Sequence, residues 1–521
     1  MNAFSLNYEN WLRKTHKVIC VYFFSVLTIL LDLGQGAAQT NKLRVGLADI
    51  PPSLGNPYTA MGLPSGHFWG SIYDGLTAIS PNGDIIPALA SAWRQTNPTT
   101  WTFSLHRDIT FHNGKKFDVQ AVITTLTYLQ SAEAARFLLA NEVKNISGIR
   151  ALNDYEVEIS TREPDAILPR RLSLIKIIEP QLWSTLGAEK YALVPVGTGP
   201  YSFVKWGSGN SSVTLEASEN TMRVVDDIKT LVFVEVPNSV AREQALVSGE
   251  LDLIDRINPD SVEGLHNAGF NVQVHPVSQI LSIALPNVGN EVSPLNSVEI
   301  RRALNFAVDR SGIAKYIFSD FVDAASQGAI QGTIGFNPDL EPYPYDPEMA
   351  RHLLSVNGYT DGFPLTIGVL QAEGTGQELA YQKVGQDLAA VGITAKVRAL
   401  PGSEFLRRFV SNDWGPYDAF SLMWNNEPMR DVGRALEYFS CLRPKPFFCD
   451  KNVSEAIRAS RKETDPKKRI TDLQTIMSRI RDLAPAIWLT NTAQITASSP
   501  KFVNIQLGTV GLTFEDIIIL P

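Results

Sequence analysis

The chain is 521 residues long, with 46 basic and 54 acidic side chains and a formal net charge of −8. That length exceeds one small domain and predicts two or three lobes. The acidic balance, with no run of lysine and arginine, excludes a phosphate-binding surface of the kind a nucleic-acid partner demands.

Arg13, Lys14 and Lys17 precede an apolar run from Val18 to Leu31, which Asp32 ends, and Gly36-Ala37-Ala38 follows. A basic start, a short apolar run and small residues before the cut make a secretory signal, residues 1–38, with cleavage expected after Ala38. The run is shorter than the roughly 20 residues of a membrane-crossing helix, so an uncleaved anchor is the lesser alternative. A lipid-anchored protein needs a cysteine at the cut, and Cys20 lies inside the apolar run instead. The remaining chain is therefore expected to be free in the periplasm.

Next comes GLPSGHFWG, residues 62–70, with Ser65, His67, Phe68 and Trp69 flanked by glycines. As a loop it offers an aromatic platform for a sugar ring or an apolar side chain; the alternative is an aromatic pair plugging the core, with His67 a structural hydrogen-bonder. In residues 101–106 Trp101, Phe103 and Leu105 alternate with Thr102, Ser104 and His106, the pattern of a half-buried strand. His106-Arg107-Asp108 and Asn113 spell the catalytic loop of a protein kinase. The Gly-rich loop, strand lysine and D-F-G ligand that such chemistry requires are missing, so Asn113-Gly114 is predicted to be a turn. Gly197-Thr198-Gly199-Pro200-Tyr201 lacks the lysine of a phosphate loop, and its proline removes an amide; it too reads as a tight turn.

Further on, residues 297–309 show helical spacing, with Asn296 and Glu299 as a capping box. The polar stretch 291–297 before it is a candidate lobe crossing. Asp346-Pro347 opens another helix that stops at Gly358. Residues 364–371, 377–391 and 393–400 read as strand, helix and strand, which implies a parallel pair. Cys441 and Cys449 are predicted to form a disulfide, because outside the cytoplasm a close pair without further Cys or His nearby favours a bridge over zinc. The histidines show no metal-ligand spacing, and phosphate-loop, hydrolase-elbow and zincin motifs are missing. No cofactor is expected.

Several segments resemble, in order, family 5 of the extracytoplasmic solute-binding proteins of ABC importers, the peptide, nickel and opine binders. They are PALASAWRQTNPTTWTFSLHRDITFHNGKKFD (87–118), GTGPY (197–201), SGELDLI (248–254), VEIRRALNFAVDR (298–310), YDPEMARHLLSVNGY (345–359) and YDAFSLMW (417–424). The resemblance implies an α/β, bilobal periplasmic-binding-protein fold of type II-like form. Lobe 1 would span 39–285 with an inserted subdomain at about 76–200, lobe 2 would span 286–490, and 491–521 would return to lobe 1. It also implies a monomer that traps a small-molecule solute by hinge closure, hands it unchanged to an inner-membrane ABC permease, and has no nucleic-acid partner.

Peptide binders of this family carry an Asp shortly after the tryptophan matched by Trp424. Here Asn425 and Asn426 follow, with Glu427 or Asp431 as substitutes after a shift in alignment. Two amides suit a hydroxyl-rich ligand, and Arg430 or Arg434 would add a fork for carboxylate or phosphate. The candidate site is therefore Ser65, His67, Phe68, Trp69, Gln279, Gln371, Trp424, Asn425, Asn426 and Arg430. The expected solute is an opine or sugar-phosphate conjugate of agrocinopine type, with a dipeptide or oligopeptide as the alternative, nickel or haem ranking lower, and a secreted enzyme as the rival of another class.

Overall fold

A computed structural model describes residues 41–521 apart from 52, 60, 61, 81, 220, 290, 291, 372–375, 444 and 510. The signal segment and its cleavage point lie outside the described residues. Among those described, no helix is long and apolar enough to cross a membrane.

Two long antiparallel strands, Asn271–Ala284 and Ala486–Ser498, organise the molecule; they pair from Asn271↔Ser498 to Ala284↔Ala486. To one side the sheet continues through Leu253–Ile254, Lys42–Leu47, Thr230–Glu235, Ser212–Ala217 and Tyr201–Trp206. To the other it continues through Ala419–Ser421, Pro364–Leu370 and Thr394–Leu400. Each half packs on its own core. Val45, Phe68 and Phe233 belong to the first half, and Ile495 and Ala497 pack beside Leu253's neighbour Ile254. Leu281, Ile283, Ile367 and Ile487 belong to the second. The long strands thus pass from one lobe to the other, and their register shifts between Val277 and Ile280, where the chain changes cores. A bulge at such a place bends the strand and breaks the regular ladder.

A separate antiparallel sheet, Ala90–Asn97, Thr100–Leu105, Glu156–Thr161 and Ile146–Asn153, lies within the span expected for an inserted subdomain, and its buried residues share the first core. Phe103 and Leu105 are buried in its inner strand, but Thr102 is buried as well and Trp101 only half-buried, so the expected alternation holds in part. Asn113 and Gly114 do form a turn: the Lys115 N–H donates to Asn113 Oδ1 at 3.2 Å and Gly114 takes φ +78°. The kinase spelling is therefore a strand and turn. In GTGPY the glycines are needed for close approach, since a Cβ on Gly197 would lie 2.0 Å from the Ile72 carbonyl oxygen.

The expected helix at 297–309 is present as Val298–Phe306, and a second helix, Arg310–Ile317, follows it. Ser297 supplies the first cap, accepting from the Ile300 N–H at 3.5 Å, in place of Asn296. Asp309 stops the run because its carboxylate caps the next helix, accepting from the Gly312 N–H at 2.8 Å. Asp346 caps Pro347–Val356 as the sequence indicates. Pro364–Leu370 and Thr394–Leu400 pair in parallel with the helix Gln377–Ala389 between them. Cys441 and Cys449 are bonded, with Cα atoms 4.5 Å apart.

Candidate functional site

A cavity of about 530 Å³ lies where the long strands cross between the lobes. The first half contributes Gly62, Leu63, Arg256, Val277 and Gln494, and the second contributes Gln279, Phe318, Gln371, Asn425 and Glu427. This volume is in the range of a drug-sized or tripeptide-sized ligand.

The short strand Trp424–Asn425 pairs with the long strand at its bulge, Gln279 opposite Asn425 and Ile280 opposite Trp424. Alternation on a strand then separates the two neighbours. Asn425 faces the cavity, while Trp424 is 1% exposed, stacked on Phe439 with ring centroids 4.2 Å apart. A Cβ on Gly328 would meet Trp424 at 2.0 Å, so glycine is what admits the indole. Asn426 is buried too and donates from Nδ2 to the Gly328 carbonyl at 2.8 Å. Trp424 and Asn426 are thus supports beneath the site, and the expected asparagine pair is a single asparagine at the cavity. Gln279 and Gln371 are among the residues lining it.

Arg430 is turned to Glu427, with Nη2 2.8 Å from Oε1. Arg434 is engaged by Glu142 at 3.0 Å. Neither arginine is among the cavity walls, which removes both forks assigned to a phosphate or carboxylate. The second oxygen of Glu427 accepts the Ser278 N–H at the bulge. Burial, only partly opposed by Arg430, raises the Glu427 carboxyl above its ordinary value.

The aromatic platform is also corrected. Ser65–Ile72 is a helix rather than a loop, and Ser65, His67, Phe68 and Trp69 are all buried. Phe68 packs on Trp206 and Phe233, and Trp69 Nε1 donates to the Leu54 carbonyl at 3.0 Å. The helix is approached closely by a distant glycine: a Cβ on Gly511 would come within 2.8 Å of the helix backbone at Gly66 and His67. Only Gly62 and Leu63 of that stretch reach the cavity.

The cation at the cavity is Arg256, which the sequence reading overlooked. It follows SGELDLI and Asp255, takes φ +51°, and donates from Nη2 to the Leu63 carbonyl at 2.8 Å. Burial raises the nearby Asp49 carboxyl while Arg256 opposes that rise. Gln494 was also missed, because a glutamine in mid-strand carries no local signal of what its face meets.

Away from the cavity, a second set of contacts joins the halves. Arg170 donates from Nη1 to the Met429 carbonyl and from Nη2 to the Gly83 carbonyl, both at 2.7 Å. Glu142 lies between Arg171 and Arg434. Asp431 is paired with Arg469 at 2.6 Å and caps the helix Val432–Tyr438. Among the described residues no group of three or more His, Cys, Asp or Glu is placed to hold a metal ion.

A family model described as bacterial extracellular solute-binding proteins, family 5 Middle, matches residues 84–444. The glutathione-binding protein GsiB of Pectobacterium atrosepticum is 27% identical over 352 residues, 67% of each chain. The periplasmic binding protein DppA of Helicobacter pylori, solved with the peptide STSA, superposes with a TM-score of 0.77 at 21% identity, covering 92% of this chain and 98% of that one. AgaA from A.tumefacien R10, solved with agropinic acid, gives a TM-score of 0.78 at 21% identity, covering 92% and 99%.

Proposed function

The chain belongs to family 5 of the bacterial extracellular solute-binding proteins, and we propose that it is the periplasmic component of an ABC importer for short peptides. The observation that carries this is the charge pattern of the cavity: one cation, Arg256, from the first half and one carboxylate, Glu427, from the second, with the amides Gln279, Gln371, Asn425 and Gln494 between. A zwitterion with amide groups along its length answers that pattern. Its carboxylate would face Arg256, where a guanidinium offers paired donors, and its ammonium would lie toward Glu427. That Glu427 already accepts from Arg430 and Ser278 makes it a fixed, pre-oriented partner.

Binding by closure needs contacts that exist only when both lobes meet the solute, and a solute touching Arg256 and Glu427 together supplies them. The solute is returned unchanged to the permease.

An opine is the second reading, supported by the fold shared with AgaA. A sugar phosphodiester has lost the two forks it rested on, because neither Arg430 nor Arg434 lines the cavity. The test is mass spectrometry of what co-purifies, then calorimetry with glutathione, free tripeptides, agropinic acid and sugar phosphates. Tripeptide-sized peptides are expected to bind and be recovered intact. Binding confined to sugar phosphates, or chemical turnover of a bound peptide, overturns the proposal.

A further inference from the structure

Gln494 reaches the cavity from the long strand Ala486–Ser498. Its Nε2 donates to Asp255 Oδ2 at 3.3 Å. With its nitrogen turned to Asp255, the amide keeps its oxygen for the other side.

Asp255 is itself fixed. It is fully buried, and Arg242 holds its backbone by donating from Nε to the Asp255 carbonyl at 3.3 Å and from Nη2 to the Arg256 carbonyl at 3.1 Å. His67 Nε2 lies 3.5 Å from Asp255 Oδ2, and His67 Nδ1 accepts the Leu512 N–H at 2.9 Å. A backbone N–H only donates, which puts the proton of the neutral ring on Nε2, the side of Asp255.

Asn425, on the facing half, is locked the other way round. Its Oδ1 accepts the Glu427 N–H at 3.1 Å, so the nitrogen is the atom left for a solute. The cavity therefore offers a fixed acceptor on one wall and a fixed donor on the other.

We infer that Gln494 is a specificity-determining residue that accepts an amide N–H of the solute, with Asp255 as the residue that positions it and Asn425 as the matching donor to a solute carbonyl. This rests on the short-peptide reading above and deepens it: the solute is recognised as an amide, by one N–H and one C=O. An ester in place of that amide removes the donor and sets a lone pair against Gln494 Oε1, and a site built to bond an N–H rejects the analogue without it.

The experiment takes the tightest binder from a panel of free tripeptides and its two single-ester analogues, with calorimetry on the wild type, Asp255→Asn and Gln494→Leu. In the wild type one ester is expected to bind at least about tenfold more weakly than the peptide. In Asp255→Asn the new carboxamide can donate to Gln494 Oε1, the glutamine can turn, and the peptide-to-ester ratio is expected to fall toward one. Gln494→Leu, at a partly exposed position, should lose the discrimination as well and gives an answer if Asp255→Asn fails to fold. Equal binding of the peptide and both esters by the wild type overturns the inference, as does an unchanged ratio in the folded variants. A wild type that binds no tripeptide overturns the short-peptide reading and this inference with it, and that failure is seen before any variant is made.

Discussion

Glu142 Oε1 lies 3.0 Å from Arg434 Nε although 292 positions separate the two residues. The other oxygen of Glu142 meets Arg171 at 2.6 Å, and Arg171 also reaches Asp165 at 3.2 Å. Burial alone would raise the Glu142 carboxyl, but Arg171 and Arg434 outweigh it and hold the group below its ordinary value. This is charge placed between the helices Ala140–Val143 and Val432–Tyr438, paired only while the two stay together.

Glu142→Gln keeps the shape and removes the charge that faces both guanidiniums. Breaking a buried pair costs about 3 to 5 kcal/mol if the charges stay buried, and hinged lobes can escape that cost by opening. The expected result is a larger radius of gyration in solute-free scattering and about tenfold weaker solute binding, since closure must then be driven by the solute alone. Identical scattering and affinity would show that this contact does not hold the lobes.

Acid should also weaken a second buried pair, Asp431 with Arg469, which lies inside the second half. Asp431, like Glu142, has burial acting to raise its carboxyl and a stronger pull downward, here from Arg469. A depressed carboxyl contributes stability above its unfolded value of about 4 and loses it as pH falls through the folded value. The melting temperature should be level near neutrality and drop below about pH 4. In Asp431→Asn it should be lower at pH 7 and vary less in acid. A variant with an unchanged acid limb would show that other carboxylates set it.

Asn425→Asp replaces the amide nitrogen left for the solute with an oxygen. Peptide affinity is expected to fall about tenfold, because a donor to a solute carbonyl becomes a repelling acceptor. The melting temperature should hardly move, as Asn425 is partly exposed. Calorimetry with unchanged affinity would remove Asn425 from the site.

Phe68→Ala separates core from platform. A fully buried phenylalanine reduced to alanine costs about 3 to 5 kcal/mol. Solute affinity of the folded fraction should stay as it was, because Phe68 packs on Trp206 and Phe233 away from the solute. A selective loss of affinity without loss of stability would restore the platform.

The sequence disclosed what depends on neighbours in the chain. Thr100–Leu105 forms the expected strand, although Thr102 is buried as well as Phe103 and Leu105. Asp346 and Pro347 open a helix by local capping chemistry. The parallel pair of Pro364–Leu370 and Thr394–Leu400 follows from the helix between them. The site is harder to read because it depends on distant partners. The glycines around His67, Phe68 and Trp69 imitate a loop, yet Gly511, more than four hundred positions away, is what packs against that helix. Trp424 and Asn425 are adjacent letters with opposite fates, decided by which face of a two-residue strand meets Phe439. Arg256 and Gln494 reach the cavity through a positive φ and a strand register, and neither leaves a mark in composition.

The strand Ala486–Ser498 lies between Asn271–Ala284 and Leu253–Ile254, and Phe502, Phe514 and Ile517 then close over the first core. A ribosome making this chain delivers the opening half of the molecule hundreds of residues before the piece that completes it. Until that final stretch arrives, the early half lacks an interior strand and part of its cover, so its core closes only when the last elements dock.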